Sequence, residues 1–320
     1  MLLLNRKKSI QHIYLQALLR RLYDLEHDYS TFQQQLMKFE AGLSGEQRVD
    51  RELLDFSIPG KHFLLQNVEL LNHQTFPHQI DSILLTPNFL LILEIKNITG
   101  TLLFKPEFHE FTRVRLDGTA ENFLNPFDQA YRHQLFLQQL LKQWNVHVPI
   151  KYVVVIANQN AVLDNSLKNY PIFHLSGLRL FINRLFQKYP QASLNSEMLE
   201  KVARRLLASV QRSAPNRPVD ASRIRKGVLC AHCDFKELMR YQYGSWCCTK
   251  CSVRNKRAVR QAMHDYRLLI SERITNKEFR DFVGIESIQI ASKILMRLGF
   301  EKVGEKRGRY YIIPEEVFEE

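Results

Sequence analysis

All five cysteines of this chain lie between residues 230 and 251, as Cys230-Ala-His-Cys233 and Cys247-Cys248-Thr-Lys-Cys251. Two Cys-x-x-Cys pairs at this separation can set four thiolates at the corners of a tetrahedron around zinc, with a short hairpin between the pairs. The spacing predicts Cys230, Cys233, Cys248 and Cys251 as ligands of a structural Zn2+. Cys247 is surplus, because pairing it with Cys251 would leave three residues between them. A disulfide framework fits less well. The rest of the 320 residues contain no cysteine, the habit of a reducing compartment. The apolar run at residues 2–4 is too short for a secretory segment, and Arg6-Lys7-Lys8 follows it rather than leading it. A cytoplasmic protein is expected.

The formal net charge of +12 sits around this cysteine module. Residues 1–200 sum to +1, residues 201–260 to +12 and residues 261–320 to −1. Clustered Lys and Arg attract a polyanion by releasing its condensed counterions, so nucleic acid is the first partner to consider. Candidate contacts are Arg223, Arg225, Lys226, Arg254, Lys256, Arg257 and Arg260. A membrane partner is not expected. The apolar runs are strand-sized, and no aromatic-rich amphipathic helix accompanies the charge.

Leu15, Leu18, Leu22, Leu25, Tyr29, Phe32 and Leu36 recur by threes and fours, predicting one helix over residues 10–37 whose seam packs within the chain or supports an oligomer. Ala41-Gly42-Leu43-Ser44-Gly45-Glu46 is read as the break, with a second helix running through Val49 and Leu53 to Pro59-Gly60. Strands are expected over residues 62–71, 78–85, 89–95, 102–104, 108–116, 152–157 and near 172–173. Helices are expected over 126–144, 178–186 and 195–210. Helix, three strands, helix and strand make an α/β sandwich with a mixed central sheet.

Asp81 opens one central strand, and Glu94 and Lys96 close the next. Residues two apart on a strand face the same side, and the turn at Thr86-Pro87-Asn88 brings the Asp81 end beside the Glu94 end. Three charges then meet at the rim of an apolar sheet, where an unpaired one is costly. Two carboxylates can hold Mg2+ (or Mn2+) against a substrate phosphate while an ammonium positions or deprotonates the attacking water. A structural Lys–carboxylate pair closing a strand is the plainer alternative.

The order Asp-x12-Glu-x-Lys resembles the PD-(D/E)xK nuclease superfamily. The wider string resembles its nuclease-related domain (NERD): Gly42-x-x-Gly45-Glu46, His78-Gln-Ile-Asp81, Glu94-Ile-Lys96-Asn97-x-x-Gly100, and Asn125-Pro126-x-x-Gln129 with Tyr131. The likeness spans roughly residues 38–160. It implies a restriction-endonuclease-like αβββαβ core, with Asp81, Glu94 and the Ile95 carbonyl as metal ligands and Lys96 as the catalytic lysine. It further implies Glu46 as an additional acidic metal-binding residue and Gln129 as an orienting residue for the lysine or phosphate. Family members often carry His after the motif aspartate, where this chain has Ser82.

Thr275-Asn-Lys-Glu278 is a capping box, Ser287 can cap a following helix, and two short strands close the chain. The pattern looks like a winged helix-turn-helix, with Lys293, Arg297, Arg307 and Arg309 as possible phosphate contacts. The expected organisation is a heptad helix (1–38), a nuclease-like α/β domain (39–190), a basic helical linker (191–225), a zinc ribbon (226–255) and a winged-helix-like module (256–320). Metal-dependent cleavage of DNA is the leading reading, and a non-catalytic nucleic-acid-binding protein on a nuclease-like fold is the alternative. No Gly-x-x-x-x-Gly-Lys-Ser/Thr loop occurs, so ATP hydrolysis is not expected.

Overall fold

The structure, a computed structural model, describes residues 1–72, 76–211 and 214–315, except for the side chain of Arg307. It divides into two compact units: Met1–Ser9 with Lys38–Ser213, and Ile10–Met37 with Ala214–Glu320. In chain order the elements begin with β1 (Leu2–Leu4), α1 (Ile10–Arg21) and α2 (Tyr29–Asp55).

The first unit continues with β2 (Phe63–Leu71), β3 (Pro77–Leu85), β4 (Leu90–Lys96), β5 (Gly100–Lys105), β6 (Glu110–Val114), β7 (Ala120–Phe123) and α3 (Pro126–Gln143). After these come β8 (Ile150–Ile156), β9 (Ala161–Leu163), β10 (Ile172–His174), α4 (Leu178–Lys188) and α5 (Ser196–Ala208). Its main sheet has the order β1-β2-β3-β4-β8-β10. Pairing is antiparallel from β2 to β4 and parallel at β1–β2, β4–β8 and β8–β10. β4 is almost wholly apolar because both of its faces are covered. Leu90 and Ile92 pack with Leu137 and Leu141 of α3, while Leu91 and Leu93 pack with Val49 and Leu53 of α2. β5 and β6 join a separate sheet of order β7-β6-β5-β9.

Two expectations about the helices are corrected. The single helix over residues 10–37 is two helices, separated between Arg21 and Tyr29. Leu25, assigned to the seam, is 98% exposed, whereas Leu15, Leu18 and Leu22 are buried. The intervening residues Glu26 and Asp28 instead hold Arg223, at 2.7 and 2.6 Å. Conversely, Gly42 and Gly45 do not break a helix, because α2 runs unbroken through both. A helical glycine costs only about 1 kcal/mol, and at Gly45 close packing requires one. A Cβ there would lie 2.5 Å from Asn97 Cβ and 3.3 Å from Ala157 Cβ. Glycine lets α2 press onto the ends of β4 and β8, and so carries Glu46 to the sheet's rim.

The second unit adds β11 (Val228–Leu229), β12 (Leu238–Gln242), β13 (Ser245–Cys248), β14 (Arg254–Asn255) and α6 (Ala258–Leu269). It ends with β15 (Arg273–Ile274), α7 (Asn276–Val283), α8 (Ile288–Leu298), β16 (Glu301–Val303) and β17 (Tyr310–Ile312). β11 to β14 form one antiparallel sheet, and the last three strands form another of order β15-β17-β16. Tyr243 and Gly244 both take positive φ, the backbone of a tight two-residue hairpin turn between β12 and β13. The capping box at Thr275 and the Ser287 cap are both formed. Leu15, Leu18 and Leu22 of the amino-terminal stripe share a core with Trp246, Met263 and Phe279. Beneath it, Arg21 and Asp265 pair at 2.8 Å, each fully buried. Among the described residues, no helix is long and apolar enough to cross a membrane.

Candidate metal centres and nucleic-acid interface

The β3–β4 ladder ends at Ser82↔Leu93, so Asp81 and Glu94 are the next residues along each strand. Both β2 and β3 change face nearby. Phe63 and Leu65 share a cluster with Val68 and Leu70, as do Leu85 and Ile83 with Ile80. Asn67, in left-handed backbone at φ 50°, marks the irregularity on β2. Beyond the last ladder pair, Asp81 Oδ2 accepts the Ile95 N–H at 2.7 Å. On the neighbouring strand, Lys96 Nζ donates to Glu94 Oε1 at 2.8 Å and to Gln129 Oε1 at 2.9 Å. Gln129 reaches it because Asn125 caps α3, its side chain accepting the Phe127 N–H, and Pro126 begins the helix. The sheet rim thus brings together Asp81, Glu94, Lys96 and Gln129.

Glu46 arrives from α2, accompanied by two residues the motif reading did not include. Arg6, just past β1, donates Nη1–H to Glu46 Oε2 at 2.6 Å, and Nε–H and Nη2–H to Asp50 at 2.6 and 2.9 Å. Its Nη2 also donates to the Asp81 carbonyl at 3.0 Å and to Ser82 Oγ at 2.9 Å. Asp50 lies one helical turn after Glu46, a spacing visible in the sequence. Arg6 gave no local signal.

Burial sets the protonation of this cluster. Removal from water and the neighbouring Asp81 charge push the carboxyls of both Glu46 and Glu94 up to about 7. Burial also raises Asp81, against the opposing pull of Lys96 and the Ile95 N–H. For Lys96 burial works downward, but the Glu94 and Asp81 carboxylates outweigh it and raise its pKa. Among the described residues, one oxygen from each of Glu46, Asp81 and Glu94 is not gathered within 4.8 Å. Like charges repel, Arg6 draws off Glu46, and the Ile95 N–H holds Asp81. The donor set nonetheless suits a hard divalent cation, which prefers carboxylate and carbonyl oxygen. The buried His78 and His133 meet Nδ1 to Nδ1 at 3.1 Å, and burial together with His78 and nearby cations that include Lys96 pushes His133 down to about 4.

In the second unit, Cys230, Cys233, Cys248 and Cys251 bring their sulfurs within 4.8 Å of one another. Sulfur separations of 3.7 Å (Cys230–Cys251) and 3.9 Å (Cys233–Cys248) exclude disulfides. They match the edge of about 3.8 Å that four bonds of about 2.3 Å give in a tetrahedral thiolate site. The Cys251 N–H, helped by that of Lys250, donates to Cys248 Sγ and pulls its thiol down to about 7 against the effect of burial. Cys247 stands outside the set, its sulfur 3.9 Å from the Cys248 and Ser252 carbonyls. The four cysteines form a cluster able to hold a metal ion.

The basic residues divide into two groups. Arg223 is satisfied by Glu26 and Asp28, and Arg225 donates to the carbonyls of Arg20, Phe235 and Lys236. Lys226 pairs at the surface with Asp281 at 2.7 Å. Arg254 and Arg257 are exposed, and with Arg260 they line a groove of about 770 Å3 beside the cysteine module. Lys256, Lys293, Arg297 and Arg309 are exposed, while the Arg307 side chain lies outside the described residues.

Residues 41–157 match the family model described as the nuclease-related domain, over a third of the chain. The first unit therefore contains a nuclease-related domain, in a mixed α/β arrangement consistent with a nuclease-like fold. No curated protein and no solved structure matches the chain.

Proposed function

We propose that the protein is a metal-dependent nuclease that hydrolyses phosphodiester bonds of DNA. One observation carries this reading: within the stretch matching the nuclease-related domain, Lys96 bridges Glu94 and Gln129 where the β3–β4 ladder opens beside Asp81. Asp81, Glu94 and the Ile95 carbonyl would hold Mg2+ or Mn2+, and Glu46 adds negative charge nearby. When bound, such an ion polarises a phosphoryl oxygen and acidifies a water. Gln129 fixes the Lys96 ammonium at the rim, where it orients the attacking water against the phosphate. The Asp81–Ile95 hydrogen bond ties the aspartate to the strand that carries Glu94 and the Ile95 carbonyl.

The second unit would deliver the nucleic acid. Zn2+ on Cys230, Cys233, Cys248 and Cys251 builds a ribbon around the β12–β13 hairpin. The order α6-β15-α7-α8-β16-β17 supports reading this segment as a winged helix, with Lys293 and Arg297, exposed on α8, as its reading element. Arg254, Lys256, Arg257 and Arg260 supply sequence-independent phosphate contacts.

Incubation of purified protein with plasmid and Mg2+, beside Glu94→Ala, tests the proposal. Cleavage should fall by about a hundredfold or more in the variant, the scale of losing a principal electrostatic group. Equal degradation by both proteins would defeat it. The dispersed Glu46, Asp81 and Glu94 oxygens favour the alternative of a non-catalytic nucleic-acid-binding protein. That reading predicts salt-sensitive binding indifferent to Lys96→Ala and no cleavage with any divalent ion.

A further inference from the structure

We propose that Arg6 is an internal counter-cation that keeps Glu46 and Asp50 out of the metal shell and limits the rim to a single divalent ion. The proposal rests on the metal-dependent reading above and deepens it by fixing the ion count and assigning a role to a residue outside the motifs.

The guanidinium is 5% exposed, against 24% for the Glu46 and 11% for the Asp50 side chain, so the pairing takes place away from bulk water. All three nitrogens are used, on two carboxylates, the Asp81 carbonyl and the Ser82 hydroxyl. A planar fork of five donors suits this arrangement, which a lysine ammonium cannot reproduce. The backbone is fixed as well. β1 pairs in parallel with β2, the Arg6 N–H donates to Gln66 Oε1 at 3.0 Å, and the Lys7 carbonyl accepts from Asn67 Nδ2 at 2.8 Å. Arg6 is therefore delivered to the rim by three backbone-level attachments.

Charge decides the rest. In the ionised forms that a cation requires, Glu46, Asp50, Asp81 and Glu94 offer four negative charges, and Arg6 and Lys96 return two positive ones. The remainder is what one divalent ion neutralises. Two-metal centres need further free carboxylates to clamp both ions, and here Arg6 already occupies the candidates on α2. Arg6 is in this sense a positioning residue: it acts through Glu46 and Asp50 and need not touch substrate.

The test is Mn2+ binding to full-length, zinc-loaded protein, followed by calorimetry and by the Mn2+ paramagnetic resonance signal. Wild type should take up one Mn2+ at the rim, lost in Asp81→Asn. Arg6→Gln should admit a second ion, and Arg6→Lys, which restores charge without the fork, should return the count towards one. A count of one in both wild type and Arg6→Gln overturns this proposal and leaves the nuclease reading standing. A count of zero in both defeats the nuclease reading and this proposal with it. Should Arg6→Gln fail to fold, the charge-conserving double variant Arg6→Gln/Glu46→Gln decides: Mn2+ affinity unchanged within about twofold supports the proposal, and a tenfold or greater loss, as expected if Glu46 were a ligand, overturns it.

Discussion

The Asp81 carboxylate accepts the backbone N–H of Ile95 at 2.7 Å, one residue beyond the last β3–β4 ladder pair. A side chain here takes the place of a strand partner, tying a candidate metal ligand to the backbone that carries another. Asp81→Asn keeps an acceptor for Ile95 and should fold with a melting temperature close to wild type while losing Mn2+ affinity. Asp81→Ala strands the N–H, at a cost of about 1–3 kcal/mol. Thermal melts beside Mn2+ titrations separate the two effects. Equal Mn2+ binding by wild type and Asp81→Asn would remove Asp81 from the metal site.

Two glycines in one helix should respond in opposite ways. Gly45→Ala drives a methyl to 2.5 Å from Asn97 Cβ, and the overpacking should cost about 1–3 kcal/mol and shift Glu46 away from the rim. A Cβ on Gly42 meets nothing within 4 Å, so Gly42→Ala should gain up to about 1 kcal/mol in helix propensity. Denaturant midpoints of the two variants check both signs.

The raised carboxyls give the metal-free rim a distinct pH signature. Glu94 titrates at about 7 when folded, above its ordinary 4.5, so between those values the folded chain binds more protons than the unfolded chain. Its contribution to stability therefore declines as pH rises from about 4.5 to 7, and is flat above. Wild-type stability minus that of Glu94→Gln, measured with zinc in place and no other divalent ion, should fall across that window. Mg2+ should reverse the trend, because binding requires the ionised form. A difference that rises with pH would contradict the assignment.

Removal of zinc should unfold the cysteine module. Trp246 is 1% exposed beside the cluster, so a strong chelator should shift its emission to the red. Cys248→Ser should behave like the chelated protein, and Cys247→Ser should retain one zinc per chain and wild-type fluorescence. Loss of zinc from Cys247→Ser would place that cysteine among the ligands.

Charge reversal along the groove tests the delivery surface. Arg254→Glu and Arg257→Glu should each weaken DNA binding uniformly across sequences and reduce the salt slope by about one. Arg223→Ala should instead lower stability, because its partners Glu26 and Asp28 lie within the protein.

What the sequence disclosed follows from how local each signal is. Glu94 and Lys96 share a face by strand alternation, the four clustered cysteines follow from spacing, and Gln129 came into view only through the likeness to the nuclease-related domain. Arg6 escaped notice because it lies 75 residues from Asp81 in the chain and reaches it only through the β1–β2 pairing, which no periodicity announces. The glycines of α2 were read as breakers because conformational freedom is their default meaning; at Gly45 the missing Cβ matters instead, and that depends on Asn97 arriving from β4. The gap between α1 and α2 was hidden by Leu25, which fits the heptad yet faces solvent. Strand runs revealed their own extent but not their sheet, so the β7-β6-β5-β9 layer emerged only from register.

The most direct trial of the central claim is anomalous diffraction from crystals soaked in Mn2+. The account predicts one strong peak between the Asp81 and Glu94 carboxylates, within about 2.2 Å of an oxygen from each and of the Ile95 carbonyl. A rim without such a peak at saturating Mn2+, or one centred on Glu46 and Asp50 with Arg6 displaced, would contradict it.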